Sequence, residues 1–194
     1  SDKKNGFGIL PNKCYNKKGV KIAQTPEILN LSADMNSETK SSTIFIVNSD
    51  KGIEASFTSS LGNDESRHTR EKIEKTSVKD FIKDITKINS LIQNVSNEEI
   101  ENINDYSKPL IVKYDFNFKF EDDVIYFNPL FNEATKENIF KAEKRLFKIE
   151  MPFTIDETIV LNMEIPVGYS VDELPKSIRT RYKDRKSTRL NSSH

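Results

Sequence analysis

A single cysteine, Cys14, occurs in the 194 residues, and the chain contains no tryptophan and only six glycines. One cysteine excludes an intrachain disulfide, a cysteine-based zinc cluster and a thioredoxin-type pair. No apolar run approaches the roughly 18 residues of a membrane-spanning helix, and residues 1–20 show neither a starting methionine nor the apolar region of a signal peptide. Because only 35% of the residues are hydrophobic, we expect one modest core or two small ones.

Neither sign of charge is in excess, since 30 basic residues face 30 acidic ones. Residues 185–194 (RKSTRLNSSH) carry three of the basic residues and no acid, and they resemble a translated sequencing adapter. We therefore interpret this tail as a sequencing-adapter artefact; a disordered basic tail is the alternative. Without it the net charge is 27 − 30 = −3, and no basic patch remains that would neutralise nucleic-acid phosphates.

Short strand-like segments begin near residue 27, after a connecting segment, residues 1–22, that is rich in Gly, Lys and Asn. The pattern predicts a strand over residues 28–31 and a hairpin whose strands are Thr43–Val47 and Ile53–Phe57. Residues 48–52 form its turn, because Asn and Asp tolerate turn geometry and Gly52 supplies a positive φ at little cost.

Two helices are predicted between these strands and the next ones, at about residues 64–75 and 77–92. The second has an apolar face with a period of three to four, and Ser77 and Asp80 fit a capping box. The first is polar almost all round, so we expect a solvated helix there.

Strict alternation over residues 110–120 (LIVKYDFNFKF) gives the clearest strand prediction, with Tyr114, Phe116, Phe118 and Phe120 facing a core. Further strands are predicted at residues 124–127, 148–153, 157–165 and 169–174. Many short strands with turn signals between them favour a mainly β fold, an immunoglobulin-like β-sandwich of short antiparallel strands with the helical pair inserted, over residues 23–184.

Cys14 and His68 are the first candidates for chemistry. A thiol nucleophile needs a base and a lowered pKa, but Cys14 lies in the connecting segment, and His68 lies on the polar helix between Arg67 and Arg70, which disfavour its protonation and metal capture. An enzymatic reading would require the fold to bring Cys14 within hydrogen-bond reach of His68.

Ligand-binding motifs are equally weak. The acids Glu121, Asp122 and Asp123 lack the spaced ligands of a calcium loop, and Gly6-Phe7-Gly8 lacks the third glycine and the strand-to-helix context of a dinucleotide loop. We therefore predict no catalytic, cofactor-binding or metal-binding residue and no cofactor.

Two stretches resemble a known family. Residues 125–175 resemble the C-terminal domain of unknown function of bacterial transglutaminase-like proteins, through residues that agree in order and spacing: Tyr126, Asn128, Pro129, Asn138, Phe140, Arg145, Met151 to Phe153, Asp156, Glu157 and Ile165 to Pro175. Residues 7–22 (FGILPNKCYNKKGVKI) resemble the segment just downstream of that family's catalytic core.

The resemblance implies a function. In that family the Cys-His-Asp triad lies upstream of the second stretch, so Cys14 matches a structural position. We expect a fragment of a periplasmic or envelope protein whose own upstream core acts on amides, with this chain as a non-catalytic accessory domain that positions the core or a partner protein. The alternative is a free-standing protein-binding module that captures a peptide at an exposed strand edge; no nucleic acid and no membrane span are expected.

Overall fold

The structure, a computed structural model, describes residues 5–32, 37–50, 52–87, 89, 91–118, 123–128, 130, 151, 153–181 and 187–189. Over these residues it has nine strands, two α-helices and one short 3₁₀ helix, Asn12–Cys14. In chain order the strands and α-helices are β1 (Lys17–Lys21), β2 (Glu27–Leu31), β3 (Ser37–Ser49), β4 (Gly52–Ser60), α1 (Asn63–Lys75), α2 (Val78–Thr86), β5 (Ile92–Glu101), β6 (Ile111–Phe118), β7 (Thr154–Met163), β8 (Arg179–Arg181) and β9 (Ser187–Arg189). The predicted mainly β fold with a helical pair is confirmed.

The largest sheet has five strands in the order β5-β6-β4-β3-β7. Its centre is the predicted hairpin, in which β3 and β4 pair antiparallel from Ser41↔Ser60 to Ser49↔Gly52. Gly52 opens β4 with a φ of 112°, a left-handed conformation that an L side chain rarely adopts. The turn prediction is therefore confirmed at the residue that it depended on.

One face of this sheet carries the core. Along β6 the residues alternate between half-buried and buried, as predicted, and Tyr114, Phe116 and Phe118 are all buried. The fourth predicted core residue, Phe120, lies outside the described residues. The Tyr114 ring stacks on Phe57 of β4 with 4.9 Å between ring centroids. Apolar residues of the two helices join the same core cluster, namely Ile73, Phe81 and Ile82.

Helix α2 starts as predicted and ends earlier than predicted. The predicted N-cap forms, since the Asp80 amide donates to Oγ of Ser77 over 3.0 Å, and the Ser77 hydroxyl donates to the Asp80 carboxylate over 2.8 Å. The helix ends at Thr86, so the predicted limit at residue 92 is wrong. Thr86 turns its hydroxyl back onto the Ile82 carbonyl, and Ile92 instead pairs with Phe118 as the first residue of β5.

Strand β5 was missed because its residues, IQNVSNEEIE, do not alternate cleanly. Its pairing with β6 shifts register twice, between Gln93 and Ser96 and between Ser96 and Glu99. Asn94 and Asn97 have φ values of 50° and 51° at these irregularities. Such bulges remove the period of two on which strand prediction depends.

Strand β7 corrects the expectation of antiparallel strands, because it pairs parallel to β3 from Ser37↔Thr154 to Ile46↔Met163. More than thirty residues separate it from β6, enough chain for the crossover that parallel strands require. The strands predicted at 124–127 and 169–174 are wrong, since these residues are not in strands. Residues 169–174 are largely exposed, so their apolar spacing reflects no buried face, whereas Phe127 packs edge-on against Phe118 of the core with 5.9 Å between ring centroids. The segment 148–153 lies mostly outside the described residues.

Two smaller sheets complete the description. Strands β1 and β2 form an antiparallel ribbon from Lys17↔Leu31 to Lys21↔Glu27. Strand β1 belongs to residues 1–22, which were predicted to be a connecting segment, and it pairs with β2 just after that segment. Strands β8 and β9 pair from Arg179↔Arg189 to Arg181↔Ser187, and β9 falls in the tail interpreted as adapter sequence. The origin of residues 185–194 stays a prediction. No helix among the described residues is long and apolar enough to cross a membrane.

Candidate interaction surface

Cys14 and His68 lie in separate environments. Cys14 is half-buried at the end of a three-residue 3₁₀ turn, Asn12–Cys14, and its amide donates to the Pro11 carbonyl over 2.8 Å. His68 is on α1, where Nδ1 lies 2.9 Å from the Asp64 carbonyl and Nε2 lies 3.0 Å from the Arg67 guanidinium. Both ring nitrogens thus contact α1 residues, and neither contacts Cys14.

The acidic cluster considered for metal binding is only partly described. Asp123 is exposed, and Glu121 and Asp122 lie outside the described residues. Within the part of the chain that the structure covers, no group of three or more His, Cys, Asp or Glu residues could hold a metal ion. The absence of a metal or catalytic site in the whole chain stays a prediction.

The Gly6-Phe7-Gly8 motif forms a tight turn that displays its phenylalanine. The Ile9 amide donates to the Gly6 carbonyl over 3.1 Å, and Gly8 has a φ of 81°, as the third residue of a type II turn requires. A Cβ on Gly6 would press against the Tyr106 carbonyl, so the turn sits directly on the β5–β6 connection. Phe7, at the corner of the turn, is fully exposed.

The polar helix α1 is not solvated as predicted, because it buries Ser66, Thr69, Arg70 and Ile73. The residue before its first turn, Gly62, offers no side-chain cap. Glu38 of β3 supplies one instead: the amides of Asp64 and Glu65 donate to its Oε1 over 2.8 and 3.0 Å. A Cβ on Gly62 would overlap that carboxylate, which explains the glycine.

Glu38 is buried to more than nine-tenths, and its second oxygen, Oε2, has no hydrogen-bond partner among the described residues. Burial raises the pKa of this carboxyl above the ordinary 4.5, and the Glu65 and Asp64 amides partly oppose the rise. The carboxylate borders a crevice with room for about one water molecule, lined by Asn5, Ile9, Leu10, Pro11, Asn12, Glu38, Asn63, Asp64 and Arg67. It already occupies the helix N-terminus, so its role is to hold α1 to β3.

Arg70 fixes the far side of α1. It is almost fully buried, and its Nη2 donates to the carbonyls of Asn102, Asp105 and Lys108 at 2.9 to 3.0 Å. Its guanidinium also lies 5.1 Å from the centroid of the Tyr106 ring. Burial lowers the pKa of Arg70. The arrangement organises the β5–β6 connection, and the buried Nε of Arg70 has no hydrogen-bond partner among the described residues.

Because Glu38 and Arg70 have structural roles, the remaining candidate for a functional feature is exposed apolar surface. On the β1–β2 ribbon, Val20, Ile22 and Ile28 are mostly exposed, and Leu29 is partly exposed. On the face of the five-stranded sheet opposite the core, Phe45, Val47 and Val160 are each exposed by two-fifths or more. Contiguous apolar residues of this kind mark surfaces at which proteins dock. Composition and periodicity missed them, since the signal is burial, which only the fold reveals.

One comparison with known proteins gives a match. Residues 123–187 are similar to a family described as a domain of unknown function with solved-structure structure (DUF3858), about a third of the chain. The matched region includes β7, whose partner β3 lies outside the match. No curated protein and no solved structure matches the chain.

Proposed function

We propose that this chain is a non-catalytic accessory part of a bacterial transglutaminase-like envelope protein, where it positions the catalytic core or a partner protein. The observation that carries the proposal is the match of residues 123–187 to a domain of unknown function, in the stretch that resembles the C-terminal domain of those proteins. The link to a transglutaminase-like core rests on the resemblance of residues 7–22 and 125–175 and on the chemistry below.

Amide acyl transfer needs a thiolate, a base that shares its proton and a group that orients the base. Cys14 is tied into a 3₁₀ turn and His68 points along α1 toward Asp64 and Arg67. This separation supports an accessory role, with the triad supplied by an upstream core.

The geometry also supports a positioning role. Strand β7, from the matched region, is the edge strand of a sheet whose other four strands precede that region. Asn48 of β3 holds its end, since the Asn48 amide donates to the Glu164 carboxylate over 2.8 Å and Nδ2 donates to the Ile165 carbonyl over 2.9 Å. Strand β7 of the matched region is thus built into the preceding sheet, which supports a role in positioning.

We extend the proposal to the finer fold, an immunoglobulin-like sandwich. The helices cover one face of the five-stranded sheet, and the opposite face carries the half-exposed residues Phe45, Val47 and Val160. A second layer packed on that face would bury them, as in two-layer β domains.

The test is to sequence the locus upstream of Ser1 and downstream of Asp184 in one reading frame, and to assay both proteins. We expect an upstream Cys…His…Asp core and no RKSTRLNSSH tail. The longer protein should incorporate a labelled amine into glutamines of casein or hydrolyse their amides, whereas this chain should not. Activity of this chain alone that disappears in Cys14→Ser would instead identify an enzyme, and a frame that starts near Ser1 would overturn the accessory role.

A second function, peptide capture by strand addition, is favoured by one observation. No described strand pairs with the outer edge of β7, on which Ile155 and Val160 are about half exposed. In that case Val160→Pro, which removes an amide donor, should weaken peptide binding measured by fluorescence anisotropy, and Val160→Thr should not. Equal effects of the two substitutions would exclude pairing through the β7 backbone.

A further inference from the structure

Residues 5–12 lie as a strap across the start of α1. At its turn the strap meets the β5–β6 connection, where a Cβ on Gly6 would lie 2.5 Å from the Tyr106 carbonyl oxygen. The strap also supplies more than half of the residues that line the crevice beside Glu38, namely Asn5, Ile9, Leu10, Pro11 and Asn12. The strap is therefore fitted against two elements of the fold, and Phe7 at its corner is left fully exposed.

The carboxylate of Glu38 has a partner for only one of its oxygens. Oε1 accepts from the Asp64 and Glu65 amides, whereas the buried Oε2 has no hydrogen-bond partner among the described residues. An ionised carboxylate offers about four acceptor sites, two on each oxygen. The crevice has room for about one water molecule, which donates a single hydrogen bond to Oε2. The closed crevice thus suits a protonated Glu38, whose hydroxyl needs one acceptor, better than an ionised one.

No cation among the described residues contacts Oε2 of Glu38. The strap has no charged side chain. The charged and titratable side chains of β3 and α1 near Glu38 are engaged with one another, in the pairs Lys40–Glu65, Arg67–Asp64, Arg67–Glu71 and His68–Asp64. Burial is the largest cause of the raised pKa of Glu38, and the charge of Asp64 adds to it. The surroundings of Glu38 therefore disfavour its ionised form.

We propose that the strap is a pH-dependent switch, closed over Glu38 when this side chain is protonated and open when it is ionised. Opening the strap hydrates Oε2 and leaves Oε1 in place at the start of α1. The pKa of Glu38 is raised while the strap is closed and returns toward the ordinary 4.5 when it opens. The closed state is therefore favoured below pH 4.5 and is lost as pH rises through the raised value. Closure holds Phe7 in a fixed position, and opening releases it.

The experiment is hydrogen–deuterium exchange on the full chain from about pH 4 to pH 7, with each rate corrected for the intrinsic exchange rate at that pH. In the parent chain we expect the protection of residues 5–12 to fall at least about threefold over this range. Glu38→Gln stays neutral, so its protection should remain constant. Residues 78–86, which form α2, are the internal reference and should not change.

Two further variants identify the titrating group and the contact. Histidine side chains change charge between about pH 5 and pH 8, so His68→Gln is the control, and the pH dependence should persist in it. Gly6→Ala presses on the Tyr106 carbonyl and should lift the strap at every pH. In that variant, NMR titration of the Glu38 carboxyl should give a pKa closer to 4.5 than in the parent chain.

Three results would overturn the proposal. The first is a protection of residues 5–12 that is constant with pH in the parent chain, or that falls equally in Glu38→Gln. The second is a pH dependence that disappears in His68→Gln, which would assign the switch to the histidine. The third is an unchanged pKa of Glu38 in Gly6→Ala, which would show that β3 and α1 bury the carboxyl without the strap.

Discussion

The two helices that cover the sheet are held there by different chemistry. Helix α2 inserts Phe81 and Ile82 into the core and caps itself with Ser77. Helix α1 contributes one core residue, Ile73. It is also held by the Glu38 carboxylate, which accepts from its first amides, and by Arg70, which donates to the β5–β6 connection. The apolar face of a helix can be read from the sequence, because its hydrophobic residues recur every three to four positions. A polar helix that is held by hydrogen bonds depends on groups far away in the sequence, which no local pattern reveals. The comparison shows that a polar helix is not necessarily a solvated one.

The largest expected effect tests the apolar side of this comparison. Ile82 is completely buried, so Ile82→Ala leaves a cavity and should lower the free energy of unfolding by about 3 kcal/mol. Urea unfolding followed by circular dichroism measures the loss. Ile82→Val is the matched control, with an expected loss of about 1 kcal/mol. Equal losses for the two variants would mean that Ile82 is not closely packed.

The attachment of α1 through hydrogen bonds is tested at Arg70. Arg70→Leu leaves three carbonyls without their donor and should lower the free energy of unfolding by about 2 kcal/mol. Arg70→Lys keeps the charge and loses the planar donor group, so an intermediate loss is expected. Faster amide exchange confined to residues 102–109 would locate the effect in the β5–β6 connection. If Arg70→Leu is as stable as the parent chain, α1 is held by Ile73 and not by polar contacts.

A smaller effect is expected at the cap of α2. Ser77→Ala removes the side chain that accepts from the Asp80 amide and should cost about 1 kcal/mol. Ser77→Asp retains an acceptor and should cost much less. A loss in both variants, measured by urea unfolding, would show that the hydroxyl donated to the Asp80 carboxylate matters more than the cap.

The sequence predicts what repeats locally and misses what depends on distant partners. The β3–β4 hairpin, strand β6, the start of α2 and the bounds of α1 follow from turn residues and periodicity. The end of α2 was misplaced because Ile88 and Ile92 suit a helix period as well as a strand start. The burial of Arg70 and the cap by Glu38 were not predictable, because their partners lie about 25 or more residues away. Strand β1 was not foreseen, since Gly19 and three lysines suggest a connection, whereas the strand predicted at residues 28–31 is confirmed as β2.

The smallest effect on the free energy of unfolding is expected at Glu38. Its dependence on pH should distinguish the attachment of α1 from that of α2. Its pKa is raised in the folded protein, so the folded state binds a proton more readily than the unfolded state. The contribution of Glu38 to stability is therefore greatest below the ordinary pKa of 4.5 and falls as pH rises through the raised value. Glu38→Gln removes this titration and keeps an oxygen that can accept from the Asp64 and Glu65 amides. Urea unfolding of both proteins from about pH 4 to pH 7 should show the Gln variant gaining stability relative to the parent chain as pH rises.

The effect should be small because burial and the amide donors oppose each other, and Ser77→Ala, on α2, should show no such pH dependence relative to the parent chain. A Gln variant that instead loses relative stability with rising pH would show that the charged cap outweighs its burial, so that the amides of α1 stabilise the carboxylate more than water does.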